Sequence, residues 1–309
     1  MQYKYVYGPV PSRRLGKSLG VNPIPSKTCN YSCIYCQLGR TDHMTNERQD
    51  YFPPEEIIRE VELAVSGKEE IDYITLVGEG EPTLCKSIGK IIKSIKGFTE
   101  IPVAVITNGA LLSQEDVRSE LLNADVVMPS LDASDQQTFQ KINRPIGKMQ
   151  ISEIIEGMIE FRKAFKGQLW IEIMLVKGVN DSSEHLLKLN YTLKEISPDR
   201  TYINVPIRPP AEPWVEPPDI ETIANAHAII GEAVSIAYQE EGTFKLQTDL
   251  PPVKAILEII KRHPMRKEQI QQTVKAYFDV ELKSFFKELE NTKGVIKKVF
   301  KGNTFYYSK

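Results

Sequence analysis

Cys29, Cys33 and Cys36 stand in a C-x3-C-x2-C pattern, within Thr28-Cys29-Asn30-Tyr31-Ser32-Cys33-Ile34-Tyr35-Cys36. Thiolates held this close can converge on one inorganic centre. With three ligands in place of four, a cubane iron–sulfur cluster keeps one iron free for a non-protein ligand. An open metal position is a mark of a reactive site, as a closed shell is of a structural one. Two other chemistries compete for these residues. A zinc knob could complete the three cysteines with Cys85, His43 or Asp42. A disulfide framework is the third option, but four cysteines in 309 residues are sparse for one.

Further segments carry polar groups beside turn residues. Gly78-Glu79-Gly80-Glu81-Pro82-Thr83 puts glycines where backbone must approach a ligand. Backbone carbonyls and the Glu81 carboxylate there can accept hydrogen bonds from an ammonium group; the plainer reading is a tight turn with a solvated acid. Thr107-Asn108-Gly109 reads as a capped turn. Ser130 and Asp132 suit the cap of a helix over Ala133–Lys141. Arg144, in Asn143-Arg144-Pro145, suits a carboxylate or phosphate if it is not on a surface turn. Arg13, Arg14 and Lys17 form a basic cluster that either meets an anionic substrate or is solvated. Cys85 reads as a small packing residue.

These residues need elements to position them. Short apolar runs at Ser18–Ile24, Ile71–Val77, Ile101–Ile106, Ala124–Met128, Leu169–Val176 and Thr201–Val205 fit strands buried on both faces. Helical periodicities lie between them, at Pro54–Ser66, Ser87–Lys96, Gln114–Asn123, Ile151–Lys166 and Ser182–Glu195. Pro53-Pro54-Glu55-Glu56 is a good helix start, with proline in the first turn and acids at the positive end of the dipole. A helix over Ile220–Tyr238 closes the run. Six β-α units in alternation argue for a parallel α/β domain over residues 1–250. Periodicity leaves open whether its sheet closes. The polar segments fall where these strands end, including Lys177-Gly178-Val179-Asn180-Asp181 after the fifth and Pro206-Ile207-Arg208-Pro209-Pro210 after the sixth.

Leu250-Pro251-Pro252 marks a break. Helical patterns over Val253–His263, Arg266–Tyr277 and Glu281–Thr292 precede two β-rich runs separated by Lys301-Gly302-Asn303, a hairpin signal. Three helices and a hairpin over residues 253–309 resemble a winged helix-turn-helix. This tail holds 13 basic and 6 acidic residues, a net of +7, while the first 252 residues carry −9. Such asymmetry suggests separate domains with separate partners. Overall composition, 41% hydrophobic and 26% charged, is that of a soluble globular protein. The first residues lack a run of signal-peptide length, and no stretch reaches 18 apolar residues, so no membrane partner is expected. Closely spaced free cysteines imply a reducing cytoplasm, and an open iron implies little oxygen.

The cysteine pattern, followed in order by these strand ends, resembles the radical S-adenosylmethionine (SAM) superfamily. The resemblance implies a partial (β/α)6 TIM-like barrel with its chemistry at the carboxyl ends of the strands. It implies a [4Fe–4S] cluster on Cys29, Cys33 and Cys36, with SAM on the fourth iron and Tyr35 beside the adenine. Gly80 and Glu81 lie in a segment similar to the superfamily's glycine-glycine-glutamate motif, which holds the methionine amino group. Thr107, Asn108, Ser130, Asp132 and Asn180 are the other implied cofactor contacts. Arg13, Arg14, Arg144 and Arg208 are the implied substrate contacts. Gly8–Gly16 and Asn204–Glu212 resemble a group of radical SAM oxidoreductases near the wyosine-synthesis enzymes. Those enzymes carry a second cluster on earlier cysteines, and in this sequence no cysteine precedes Cys29. The implied reaction is reductive cleavage of SAM to a 5′-deoxyadenosyl radical, which abstracts hydrogen from a substrate. A one-electron reductant such as flavodoxin or ferredoxin is the implied partner. The substrate is a transfer RNA, or else a peptide, a protein or a small molecule. An iron–sulfur sensor that binds nucleic acid is the non-enzymatic alternative.

Overall fold

The computed structural model describes residues 3–67, 69–235, 244–246 and 249–308. A hairpin comes first, β1 (Val6–Ser12) antiparallel to β2 (Gly16–Val21). The cysteine loop follows, pinned by a two-residue ladder of β3 (Thr28–Cys29) with β4 (His43–Met44). The alternation is then α1 (Pro54–Val65), β5 (Tyr73–Leu76), α2 (Ile88–Ile95), β6 (Val103–Thr107), α3 (Glu115–Leu121), β7 (Val126–Pro129) and α4 (Gln136–Ile142). It continues through α5 (Ile151–Ala164), β8 (Gln168–Met174), α6 (Ser183–Ile196), β9 (Arg200–Asn204), α7 (Ile220–Ile230) and β10 (Ala233–Ser235). Strands of the main sheet lie in the order β1-β2-β5-β6-β7-β8-β9-β10. All its neighbours from β2 onward pair in parallel.

The α/β expectation holds because the apolar pattern is met on both sides. Ile74, Leu76, Val103, Val105 and Val127 are buried in the sheet. Helix α2 packs on it through Ile88, Ile91, Ile92 and Ile95, one stripe at i, i+3, i+4 and i+7. The sheet curls. Arg14, in the β1–β2 turn, forms an ion pair with Glu172 on β8, four places from β2 in the strand order. Leu15 of the same turn joins Ala104, Val126, Met128, Trp170 and Tyr202 in an apolar plug at the amino ends of the strands.

Three details depart from the sequence expectations. Strand β1 was not anticipated, because Pro9 and Pro11 argue against a strand; β1 sits at the sheet edge, where a missing N–H costs little. Helix α7 stops at Ile230 instead of running to Tyr238. Gly231 takes φ +83°, and Ala233–Ser235 leaves to pair with Thr201–Ile203; residues 236–238 lie outside the described residues. Helix α4 begins at Gln136, not Ala133, since its cap is Asp135, which accepts from the Thr138 N–H at 2.9 Å.

The tail comprises α8 (Pro252–Ile260), β11 (Met265–Arg266), α9 (Lys267–Tyr277), α10 (Leu282–Asn291), β12 (Val295–Phe300) and β13 (Asn303–Ser308). The hairpin turns at Lys301 and Gly302, both with positive φ, as a two-residue loop demands. It gains a third strand, in the order β11-β13-β12. A second core forms here around Ile256, Ile270, Val274, Phe285, Leu289 and Tyr306, and Val10 of β1 packs against it.

Helix α5 touches the turn after Asn108 through Gly157, where a Cβ would fall 2.3 Å from the Leu112 carbonyl oxygen. Gly157→Ala is expected to destabilise the fold by about 1–3 kcal/mol through this overpacking. A lowered denaturation midpoint checks it; an unchanged midpoint would mean that the helix and the turn can separate freely.

Candidate functional site

The cysteine loop is built onto the far side of the sheet from its own strand. Ser32 and Ile34 donate backbone N–H groups to the carbonyls of Asn143 (3.0 Å) and Ile142 (2.9 Å) at the end of α4. Tyr31 bridges to Pro145 and packs edge-on against Phe139. The Thr41 hydroxyl closes the loop on the Tyr31 carbonyl at 2.6 Å. Cys29, Cys33 and Cys36 are therefore carried on a segment clamped at both ends.

Nitrogen donors face the sulfurs. The Tyr31 N–H lies 3.4 Å from Cys29 Sγ. Asn108 Nδ2 lies 3.6 Å from Cys29 Sγ, and Asn143 Nδ2 lies 3.6 Å from Cys33 Sγ. Without a metal these thiols would stay protonated: burial pushes Cys29 up to about 12 and raises Cys33 and Cys36 too. A cationic centre reverses that, since metal binding displaces the thiol proton. The zinc alternatives find less. Cys85 is buried in the core with its thiol directed at Asp50, Asp42 pairs with Lys27 at 3.4 Å, and His43 is exposed. Among the described residues no three His, Cys, Asp or Glu side chains converge on a single ion. A cubane sets each thiolate on a separate iron and needs wider spacing.

One buried group tests the fit directly. Asn30 is fully buried, and its Nδ2 has no hydrogen-bond partner among the described residues. A buried amide donor with nothing to bond is costly. It stands next to Cys29, where a sulfur-rich cluster would supply acceptors. The residues present thus fit a thiolate-bound cluster.

The adjoining strand ends meet at Glu81. Its Oε1 accepts from the Thr83 N–H (3.0 Å), the Thr83 hydroxyl (2.6 Å) and the Thr107 hydroxyl (2.6 Å); its Oε2 accepts from the Asn108 N–H (2.7 Å). Burial raises the Glu81 pKa, and these donors oppose the rise. Only Oε2 keeps room for another donor. Gly80 sits so close to the loop that a Cβ would lie 1.9 Å from the Thr28 carbonyl oxygen. The structure therefore brings Gly80, Glu81, Thr107 and Asn108 together beside Cys29.

Asp132 is a second buried carboxylate. It accepts from the Tyr35 hydroxyl (2.5 Å), Asn143 Nδ2 (2.7 Å) and the Met174 N–H (2.8 Å). It thereby orients Tyr35 and the amide that faces Cys33. Asn180 is wholly enclosed: it donates to the carbonyls of Asp132 and Met174 and accepts from the Val176 N–H. Its side-chain amide serves the strand end. Ser130 is half-buried on the rim, its backbone bridged to Glu172.

The arginines separate. Arg144 joins Arg40 on the buried Glu212, away from Arg14 and its partner Glu172. Arg13, Arg14 and Arg208 line a cavity of about 640 Å³ that runs from the inner face of β2 and β5 to the loop at Gln37. Helix α8 forms another wall of it with Ile259, and Arg262 adds to that wall just past the helix end. Arg262 Nε lies 2.8 Å from Glu79 Oε1, inside the glycine-rich segment, and its guanidinium covers the Tyr7 ring at 5.1 Å. Arg208 bonds both Gln37 (3.0 Å) and His263 (2.8 Å). Both cations and acids line this chamber, and Ser18 and Thr75, also in its lining, share a 2.6 Å hydrogen bond. Glu172 and Arg262 left no local trace in the sequence; Asn30, adjoining the first cysteine, and Glu212, ending the Asn204–Glu212 segment, stood there without a role of their own.

Comparison with known proteins agrees with this geometry. The family profile described as the Radical SAM superfamily matches residues 24–189. A UPF0026 protein of Methanocaldococcus jannaschii is 39% identical over 97% of this chain and 94% of its own length. A probable GTP 3′,8-cyclase of Sulfurisphaera tokodaii is 31% identical over 53% of this chain and half of its own. Among solved structures, TYW1 with a lysine–pyruvate adduct bound shares the fold, with a TM-score of 0.50 and 18% identity over 71% of this chain and 75% of that one. The chain belongs to the radical SAM superfamily, whose members are enzymes that use a [4Fe–4S] cluster and SAM.

Proposed function

We propose that Cys29, Cys33 and Cys36 hold a [4Fe–4S] cluster with one open iron that takes SAM, and that the chain acts on a small polar substrate in the adjoining chamber. The observation that carries this reading is the clamped loop of three cysteines, met by nitrogen donors, whose next residues Gln37 and Leu38 line a cavity of about 640 Å³. When bound, cluster and SAM supply reductive cleavage to a 5′-deoxyadenosyl radical that takes hydrogen from the substrate. The protein's part is placement and exclusion of water. Gly78 and Gly80 let their segment press against Ile24 and Thr28, and its backbone carbonyls with Glu81 Oε2 would accept from an ammonium group. Asp132 fixes the Tyr35 ring for stacking. Leu15 and its plug seal the lower end of the curled sheet.

Chamber size favours the small substrate, since about 300–1,000 Å³ is the range of small-molecule pockets. Its mixed charges suit a ligand bearing polar or ionic groups of both signs. The tail has the helix, strand, helix, helix and hairpin order of a winged helix, which supports that reading of residues 253–309. A transfer RNA substrate draws less support, because Lys297 pairs with Glu290 (2.8 Å) and Lys301 lies 3.7 Å from Glu216. A one-electron reductant such as flavodoxin or ferredoxin, in a reducing cytoplasm, completes the proposal. Among the described residues no helix is long and apolar enough to cross a membrane.

Four experiments test it. Anaerobic reconstitution is expected to give about four irons per chain and slow 5′-deoxyadenosine release with SAM and reductant. Alanine at Cys29, Cys33 or Cys36 should abolish the cluster, while Cys85→Ala should retain it; loss of iron with Cys85→Ala would remove the three-ligand centre. Glu81→Ala strips the acceptor from Thr83, Thr107 and Asn108. It should lower stability by about 1–3 kcal/mol and weaken SAM binding at least tenfold in equilibrium dialysis. Equal SAM affinity would take Glu81 out of the site. Transfer RNA is expected not to be retained on the intact protein at physiological salt. Binding whose affinity falls steeply with added salt would overturn the small-substrate reading in favour of RNA.

A further inference from the structure

The orphan amide of Asn30 is the strongest unexplained polar group beside the cysteines. Its orientation follows from its neighbours. The Asn108 side-chain oxygen accepts from the Ala110 N–H at 2.9 Å, as in an Asx turn. That contact fixes Asn108 Nδ2 on the other side, where it donates to Asn30 Oδ1 at 2.6 Å. Asn30 Oδ1 is thereby identified as an acceptor, and Asn30 Nδ2 must be the end without a partner. A flip of Asn30 alone would set two NH2 groups against each other. A flip of both would point the Asn108 NH2 at a backbone N–H.

The site around this donor is closed. Asn30 has no exposed surface, and its backbone carbonyl is taken by the Ile146 N–H at 2.9 Å. Its side chain shares Asn108 Nδ2 with Cys29 Sγ, so the two amides and the thiol form one group. A fully buried amide N–H2 with no protein acceptor calls for an acceptor that arrives with a ligand. Beside Cys29, a bound cluster would supply such acceptors in its sulfurs.

The geometry points to Asn30 as a positioning residue that donates Nδ2–H to a cluster sulfur beside Cys29 and raises the cluster's reduction potential. This rests on the cluster proposed above. An N–H···S bond stabilises the more negative, reduced cluster over the oxidised one, so losing it makes reduction harder. Asn108 and Asn143 each hold one amide toward a cysteine sulfur; Asn30, adjoining Cys29, adds a buried donor with no partner among the described residues.

The test is the midpoint potential of the reconstituted cluster, read by electron paramagnetic resonance at poised potentials without SAM. Asn30→Leu removes the donor at similar volume. Asn30→Asp keeps the acceptor that Asn108 needs while losing the donor. Both are expected to load iron as the wild type does. Both should show at least a tenfold lower ratio of reduced to oxidised cluster at a fixed potential, equivalent to about 59 mV for one electron. An unchanged midpoint in an iron-loaded variant overturns the assignment. A loss of SAM affinity with the midpoint unchanged also overturns it, and makes the SAM carboxylate the acceptor. If neither variant loads iron, the reduced wild-type cluster in D2O decides. It should show exchangeable-deuteron couplings that outnumber those due to Tyr31, Asn108 and Asn143, and no excess overturns the assignment. A wild-type protein that takes up no cluster would instead defeat the proposed function itself.

Discussion

The site depends on a buried carboxylate held by its own chain. Glu81 draws Thr83, Thr107 and Asn108 onto two oxygens, and so joins the ends of β5 and β6. Charged hydrogen bonds of this kind are worth roughly twice neutral ones. They offset part of the cost of burial, and do so only while all the donors stay in place. Asn108, held through its backbone, then projects its amide onto Cys29 and Asn30. Gly80 completes the arrangement, since any side chain there would strike Thr28, the residue before the first cysteine.

Asp132 repeats the device across the sheet. It binds the Met174 N–H of β8, the Tyr35 hydroxyl of the cysteine loop and the Asn143 amide beyond α4. Asn143 faces Cys33 as Asn108 faces Cys29. Two buried acids at two strand ends thus each orient an asparagine toward a different cysteine. Burial raises both carboxyl pKa values, and the donors around each act against it. The rigidity this gives suits a centre whose neighbours must hold still during an electron transfer.

Much of this was legible because it is local. Three cysteines within eight residues, glycines beside Glu81, and apolar runs alternating with helical stripes are all short-range signals. The Thr107-Asn108 turn was rightly placed at a strand end, though the sequence could not say that it would face Cys29. What stayed hidden depends on pairs far apart in the chain. Arg14 with Glu172, Arg144 with Glu212 and Arg262 with Glu79 join positions that only the curl of the sheet or the docking of α8 brings together. Asp132 and Asn180 sit where ligand contacts were expected, but their polar atoms are taken by Tyr35, Asn143 and nearby backbone. A polar residue at a strand end can build the frame of a site through its protein contacts.

The opposite charges of the two parts of the chain take a new meaning from the same pairs. A basic tail beside an acidic body first suggests an outside polyanion. Yet Arg262 is engaged by Glu79, and Lys301 lies near Glu216, both acids of the first 252 residues. Within the tail, Lys261 pairs with Glu258 and Lys297 with Glu290. Exposed pairs of this sort add little stability. Arg262 with Glu79 is different: both side chains are mostly buried, so removing either would strand a charge in the chamber wall. Part of the tail's positive charge therefore serves to seat α8 against the glycine-rich segment. The asymmetry that looked like a signature of two separate partners is, in part, complementarity within one chain.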